Sequence, residues 1–205
     1  MQKGRSKNEL KRQKILEAAT QLFTEQGYAS TSMDLIAKQA DVSKQTVYSH
    51  FGNKEALFSA AIEQKCDSYL MLDFSLEEGV DLDELLLSVA RRFIRMLTSK
   101  EALAVHKICA FESKSYPELS ELFYQAGPER LTNEVAKLMA VLNDKGMLAI
   151  EDTWFAALQF LNMMKGEVWM RVEFNTEKQL DEQEIDRYLQ ASVNFFIRGY
   201  LPIIK

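Results

Sequence analysis

The sequence is poor in the residues that most often carry chemistry. It has two histidines, His50 and His106, and two cysteines, Cys66 and Cys109, in 205 residues. Neither histidine has cysteine or carboxylate neighbours at metal-ligand spacing, which argues against a metal site. There is no Gly-rich phosphate loop, no Gly-x-Ser-x-Gly elbow and no Cys-x-x-Cys pair, so neither a cofactor nor enzyme activity is expected. Acidic pairs such as Glu77-Glu78 sit in polar, charge-rich surroundings and read as solvated. Three prolines and eight glycines, with no run of either, leave no long flexible linker. No apolar stretch approaches the ~18 residues needed to span a bilayer, so no membrane partner is expected. The start, Met1 to Lys14, is polar and basic without an apolar core and does not read as a secretory signal. A cytoplasmic protein with two free thiols is the expectation.

What is present is charge, unevenly shared. The chain carries a formal −5, but Met1–Lys65 holds ten Lys/Arg against seven Asp/Glu, while the remainder is strongly acidic. The excess is densest at Lys3, Arg5, Lys7, Lys11, Arg12 and Lys14. Such an arm, read as basic and flexible over residues 1–8, favours phosphate through counterion release, or else serves as a solubilising tail.

The stretch Thr31 to Lys54, TSMDLIAKQADVSKQTVYSHFGNK, reads as two short helices and the start of a third. Thr31 with Asp34 forms a capping-box-like start, and Met33, Ile36, Ala37 and Ala40 recur at helical spacing. Ala40-Asp41-Val42 makes the turn, with Val42 as its apolar plug, and Ser43 is a good N-cap. The second short helix buries one pair, Val47 and Phe51, and turns Gln45, Thr46 and Ser49 to the opposite side. Lys44 and Tyr48 lie on one rim and His50 on the other, and Gly52-Asn53 recaps the chain before Lys54. A helix anchored by two residues and polar elsewhere suits a DNA major groove; a solvated helical hairpin has the same periodicity.

Ile36-Ala37, Val42-Ser43-Lys44, Thr46, Tyr48, His50-Phe51, Lys54-Glu55 and Leu57, with Ile15 to Phe23 and Gly27-Tyr28 before them, resemble the DNA-binding signature of TetR/AcrR-type transcriptional regulators. The resemblance covers the first third of the chain. It implies an operator-DNA partner, backbone contacts from Tyr48, His50 and Lys54, and a DNA-binding set of Thr31, Ser43, Lys44, Gln45, Thr46, Tyr48, Ser49, His50 and Lys54. Asp41 and Gln45 stand where that family commonly has glycine. Asp41 strains the turn slightly, and Gln45 brings an amide able to pair bidentately with adenine.

Beyond this stretch every segment keeps helical periodicity and none alternates like a strand. The expected fold is all-α, about nine helices: a helix-turn-helix domain over 9–69 (helix-turn-helix about 32–51), a long helix from Asn53 to about Leu72, and a helical bundle over 70–205. Ala126-Gly127-Pro128 should interrupt the helix begun at Pro117. Glu151–Glu173 and Asp181–Tyr200 are apolar on more than one side, which either a large monomeric core or a homodimer explains. The resemblance implies the latter, a four-helix bundle pairing two chains, with Trp154, Leu158, Gly166, Met170, Tyr188 and Phe195 at the interface. Mid-helix Gly166 would then admit a partner's backbone.

Met-rich and aromatic positions are more often core than pocket, yet they supply soft apolar walls. Cys66, Leu70, Met71, Met96, Phe111, Met139, Met164 and Trp169 are the candidate lining for a small apolar or amphipathic effector. Arg92, the Glu112–Leu119 region, Phe123 and Ala126–Leu131 loosely resemble the AefR-like subgroup. The reading is a ligand-responsive homodimeric repressor, released from a palindromic operator by its effector. An activator, a ligand-independent regulator, and a helical carrier or enzyme with a vestigial helix-turn-helix are the alternatives.

Overall fold

The structure is a computed structural model and describes residues 7–69, 79, 81–178 and 180–202. Leu70 and Met71, and most of the expected basic arm, lie outside the described residues. Those described form ten α-helices and one π-turn, with no strand among them. The helices are α1 (Lys7–Ser30), α2 (Met33–Gln39), α3 (Lys44–Phe51), α4 (Lys54–Tyr69), α5 (Leu82–Leu97), α6 (Lys100–Glu112), α7 (Pro117–Tyr124), α8 (Arg130–Asp144), α9 (Thr153–Glu173) and α10 (Glu182–Tyr200). No described helix is long and apolar enough to cross a membrane.

The chain divides into two compact units, Met1–Lys65 with Lys100–Gly127, and Cys66–Ser99 with Pro128–Lys205. This differs from a single division near residue 70, because α6 and α7 join the first unit. Their Cys109 and Leu119 are buried in the same core as Ile15, Leu16, Leu22, Phe23, Ile36, Val47, Leu57 and Phe58. At its centre Phe23, Tyr28 and Phe58 form three mutual ring contacts at 5.1–5.7 Å. Each such pair contributes about 0.5–1.5 kcal/mol beyond the area it buries. That trio fixes the end of α1 against α4, and α2 and α3 are built on it.

The π-turn Gln125–Glu129 connects α7 to α8 without a break. The expected interruption at Pro128 is therefore a widened turn instead. Proline has no N–H and its ring crowds the carbonyl four residues back, and a π-turn relieves both. Thr132 Oγ1 donates to the Pro128 carbonyl at 2.8 Å.

In the second unit, α5, α8, α9 and α10 bury Leu86, Leu87, Phe93, Leu138, Met139, Phe160, Met164, Val193 and Phe196. Arg91 of α5 grips Asp186 of α10 through two bonds of 2.6 and 2.8 Å. Helix α9 kinks at Gly166 (φ 47°, ψ −156°). A Cβ there would overlap the Tyr188 ring of α10 in the same chain. Tyr188 also donates its hydroxyl to the Met163 carbonyl at 2.8 Å, replacing a helical bond lost at the kink. An aromatic ring of the same chain thus fills the space beside this glycine.

Candidate nucleic-acid interface

The turn between α2 and α3 follows from its residues. Ala40 ends α2, and Asp41 takes the left-handed conformation (φ 54°). The Asp41 N–H bonds the Lys38 carbonyl and the Val42 N–H reaches the Ala37 carbonyl at 3.1 Å. This is a Schellman closure with aspartate where glycine is commoner, a cost the two bonds offset. Val42 is half-buried against the core. Ser43 then caps α3, accepting from the Thr46 N–H at 3.2 Å.

The cap of α2 is Ser32, whose hydroxyl accepts from the Leu35 N–H. Thr31, the expected cap and DNA contact, is 1% exposed. Its hydroxyl donates to the Gly27 carbonyl at 2.8 Å and accepts from Gln26 Nε2. A side chain so enclosed is a joint between α1 and α2, and its hydroxyl does not reach a surface where DNA lies.

Helix α3 is held by Val47 and Phe51, both buried, so its other side chains face outward. Ser43, Lys44, Gln45, Tyr48 and Ser49 are exposed; Thr46 and His50 are half-buried. The Ser43 and Thr46 hydroxyls share a hydrogen bond of 2.8 Å, and Ser49 Oγ donates to the Thr46 carbonyl. Lys44 pairs with Asp34 of α2, 2.8 Å to Oδ1 and 3.0 Å to Oδ2, and lies 5.8 Å from the Tyr48 ring. That bond raises the Lys44 ammonium's pKa above its ordinary value. The exposed amide of Gln45 is left to reach outward from the helix.

Lys54 is more committed than its charge alone would indicate. Its Nζ donates to the carbonyls of Tyr28 (3.0 Å) and Thr31 (3.1 Å) and sits 4.1 Å from the Tyr28 ring centroid. It closes the last turn of α1, leaving one ammonium proton for solvent or phosphate. Burial and the neighbouring Glu55 carboxylate push the Tyr28 hydroxyl's pKa well above its ordinary value, so it stays a donor to Glu55 Oε1.

Two contributors escaped the sequence reading. Arg12, counted only as part of the basic arm, belongs to α1 and places its guanidinium 5.0 Å over the Phe51 ring, beside His50. Asp34, read only as part of a cap, is the partner of Lys44. Helices α1, α2 and α3 carry these groups, with Arg12 over Phe51 and Lys44 on Asp34.

The expected effector lining is divided. Cys66, Met96, Met139 and Met164 are buried in the second unit and Trp169 is half-buried there. Phe111 is 90% exposed and belongs to the first unit, so it is not buried with them. Cys109 takes the inward position of α6, and Phe111, two residues on, points about 200° around the helix. Among the expected interface residues, Met170, Tyr188 and Phe195 are exposed, and Trp154 and Leu158 are half-buried. Phe155, Phe174 and Leu201 join them as exposed apolar groups. Among the described residues no group of histidine, cysteine, aspartate and glutamate could hold a metal ion.

The comparisons with known proteins agree with this geometry. Residues 15–61 match the profile of bacterial regulatory proteins of the tetR family. Residues 84–202 match the C-terminal domain of AefR-like transcriptional repressors. Among solved structures, the flavonoid-responsive regulator FrrA is 34% identical, with 95% of this chain and 98% of that one aligned and a TM-score of 0.73. The uncharacterised HTH-type transcriptional regulator YhgD of Bacillus subtilis (strain 168) is 44% identical over 73 residues, 32% of this chain and 38% of that protein. The HTH-type transcriptional repressor SCO4008 of Streptomyces coelicolor is 38% identical over 72 residues, 35% of each chain. The chain thus spans little more than a third of the length of these curated relatives. The chain belongs to the TetR family of DNA-binding transcriptional regulators, with an AefR-like C-terminal domain.

Proposed function

We propose that the protein is a homodimeric repressor that binds a palindromic operator through α3 and leaves it when a small apolar or amphipathic effector binds the second unit. The observation that carries the DNA side is the outward face of α3, where Gln45 is exposed while Val47 and Phe51 anchor the helix. Gln45 and Thr46 read base edges; Tyr48, Ser49, His50 and the last proton of Lys54 meet phosphates. Two such helices related by a two-fold axis would contact half-sites about 34–36 Å apart.

The exposed Met170, Phe195 and neighbouring apolar groups on α9 and α10 support the dimer. Effector response is supported by the similarity to FrrA, a flavonoid-responsive regulator, and by the Met- and aromatic-rich core of the second unit. Helix α4 carries the signal, because its chain is shared between the two units at Lys65 and Cys66. An effector that prefers one conformer shifts operator affinity by the ratio of its two affinities, commonly about 1–3 kcal/mol, and operator weakens effector by the same factor.

Binding-site selection from random duplexes, followed by titration of the selected fragment with flavonoids and other apolar compounds, tests this. The expectation is a palindromic sequence bound by two chains and released by one compound class. One chain per site on a non-palindromic sequence would refute the dimer, and a complex insensitive to every compound would favour a ligand-independent regulator.

A further inference from the structure

The ion pair across the helix-turn-helix has a consequence for sequence choice. Lys44 opens the recognition helix, where a cation would ordinarily bind any phosphate within reach. Here its ammonium is held by both carboxylate oxygens of Asp34, at 2.8 and 3.0 Å, with both side chains about 60% exposed. Gln45, the next residue along α3, is exposed as well. An ammonium already neutralised at that distance displaces no counterion from DNA, so the pair contributes nothing to sequence-independent affinity.

We propose that Asp34 is a specificity-determining residue: it withholds Lys44 from phosphates at random and releases it only to a base that repays the break. A guanine edge, with O6 and N7 as acceptors, is the group with that chemistry for a lysine. The carboxylate left behind then lies near the duplex, where it repels phosphate and accepts only from a cytosine amino group. The carboxylate therefore raises the cost of every site lacking the right bases, which increases discrimination at the expense of affinity. This rests on α3 being the reading helix, and the variants below separate the two ideas.

The test measures binding of the full chain to two duplexes, one of random sequence and one selected by the parent, across a salt series. The variants are Asp34→Asn, Lys44→Gln and the two combined, with helicity and melting confirmed for each. Asp34→Asn frees one cation per recognition helix. On the random duplex the slope of log affinity against log salt should steepen by ~0.9, which at about 0.1 M salt corresponds to roughly eightfold tighter binding per helix. The preference for the selected duplex should fall correspondingly. Lys44→Gln alone leaves the Asp34 carboxylate unpaired, so it should weaken both duplexes and the selected one more. The combined variant, which removes both charges of the pair, should keep the parent's slope on the random duplex.

An unchanged slope and preference in Asp34→Asn would overturn the proposal. So would a combined variant as steep as Asp34→Asn, since the gain would then come from deleting a negative charge and not from releasing Lys44. If Asp34→Asn fails to fold, Asp34→Ala takes its place, alone and with Lys44→Gln: a combined variant with a shallower slope than the parent on the random duplex would show a lysine already free to bind phosphate, against the proposal. Failure of α3 as the reading helix has a different signature, with neither Lys44→Gln nor Gln45→Ala altering binding to the selected duplex.

Discussion

Replacing Lys54 by methionine keeps the aliphatic stem and removes only the ammonium, so it isolates what that charge does. The Tyr28 carbonyl keeps a second partner, the Thr31 N–H at 3.2 Å, whereas the Thr31 carbonyl loses a charged donor. One hydrogen bond to a charged group is worth about 1.5–3 kcal/mol, here toward the lower end because the site is partly open to water. The ring contact at 4.1 Å adds about 0.5–1 kcal/mol. The sum, about 2–3 kcal/mol, should lower the melting temperature by about 4–12 °C in a chain this long. Calorimetry on Lys54→Met gives the structural part, and a salt series at a temperature where both proteins are folded gives the phosphate part. Melting within about 1 °C of the parent would refute the structural role deduced from the two carbonyl bonds. A salt slope unchanged at equal folding would remove Lys54 from the DNA interface.

Three further outcomes follow from the geometry. Gly166→Leu should be destabilised by several kcal/mol, because its side chain would displace the Tyr188 ring and adopt φ 47°; a stable variant melting like the parent would contradict that packing. Phe195→Glu, at an exposed site, should keep helicity but sediment as a monomer, and an intact dimer would exclude Phe195 from the interface. The Asp186 carboxyl is held below its ordinary pKa, chiefly by its bond from Arg91. Its contribution is therefore present above the unfolded value near ~3.9 and is lost as pH falls through the lower folded value. Asp186→Asn should accordingly flatten the acid limb of a stability–pH curve while leaving less stability at neutral pH; parallel curves for variant and parent would refute the linkage.

The helix-turn-helix was legible because two anchors four residues apart, Val47 and Phe51, leave a short helix with one orientation. The cap of α2 was misassigned by one residue because Thr31 and Ser32 are both good caps, and only the Gly27 carbonyl decides which hydroxyl turns inward. Phe111 was misplaced for a related reason. Helix α6 carries apolar side chains at 103, 105, 108, 109 and 111, and packing against α1 selects Cys109, a choice periodicity leaves open. Pro128 read as a breaker because a π-turn has no sequence signature distinct from a helix end. The Asp34–Lys44 pair joins residues ten apart in two elements, so it becomes visible only once the turn at Asp41 sets their separation. The Tyr188 ring beside Gly166 was not legible because the sequence shows a missing side chain without showing which atoms fill the space.

The claim that α3 reads duplex DNA through Gln45 is tested most directly by parallel binding-site selection with the parent and with Gln45→Ala. The account predicts a single enriched motif for the parent and, for the variant, the same motif with preference relaxed at one base pair per half-site, at a cost of about 1–3 kcal/mol there. An identical motif from both proteins, or no enrichment by the parent, would contradict it.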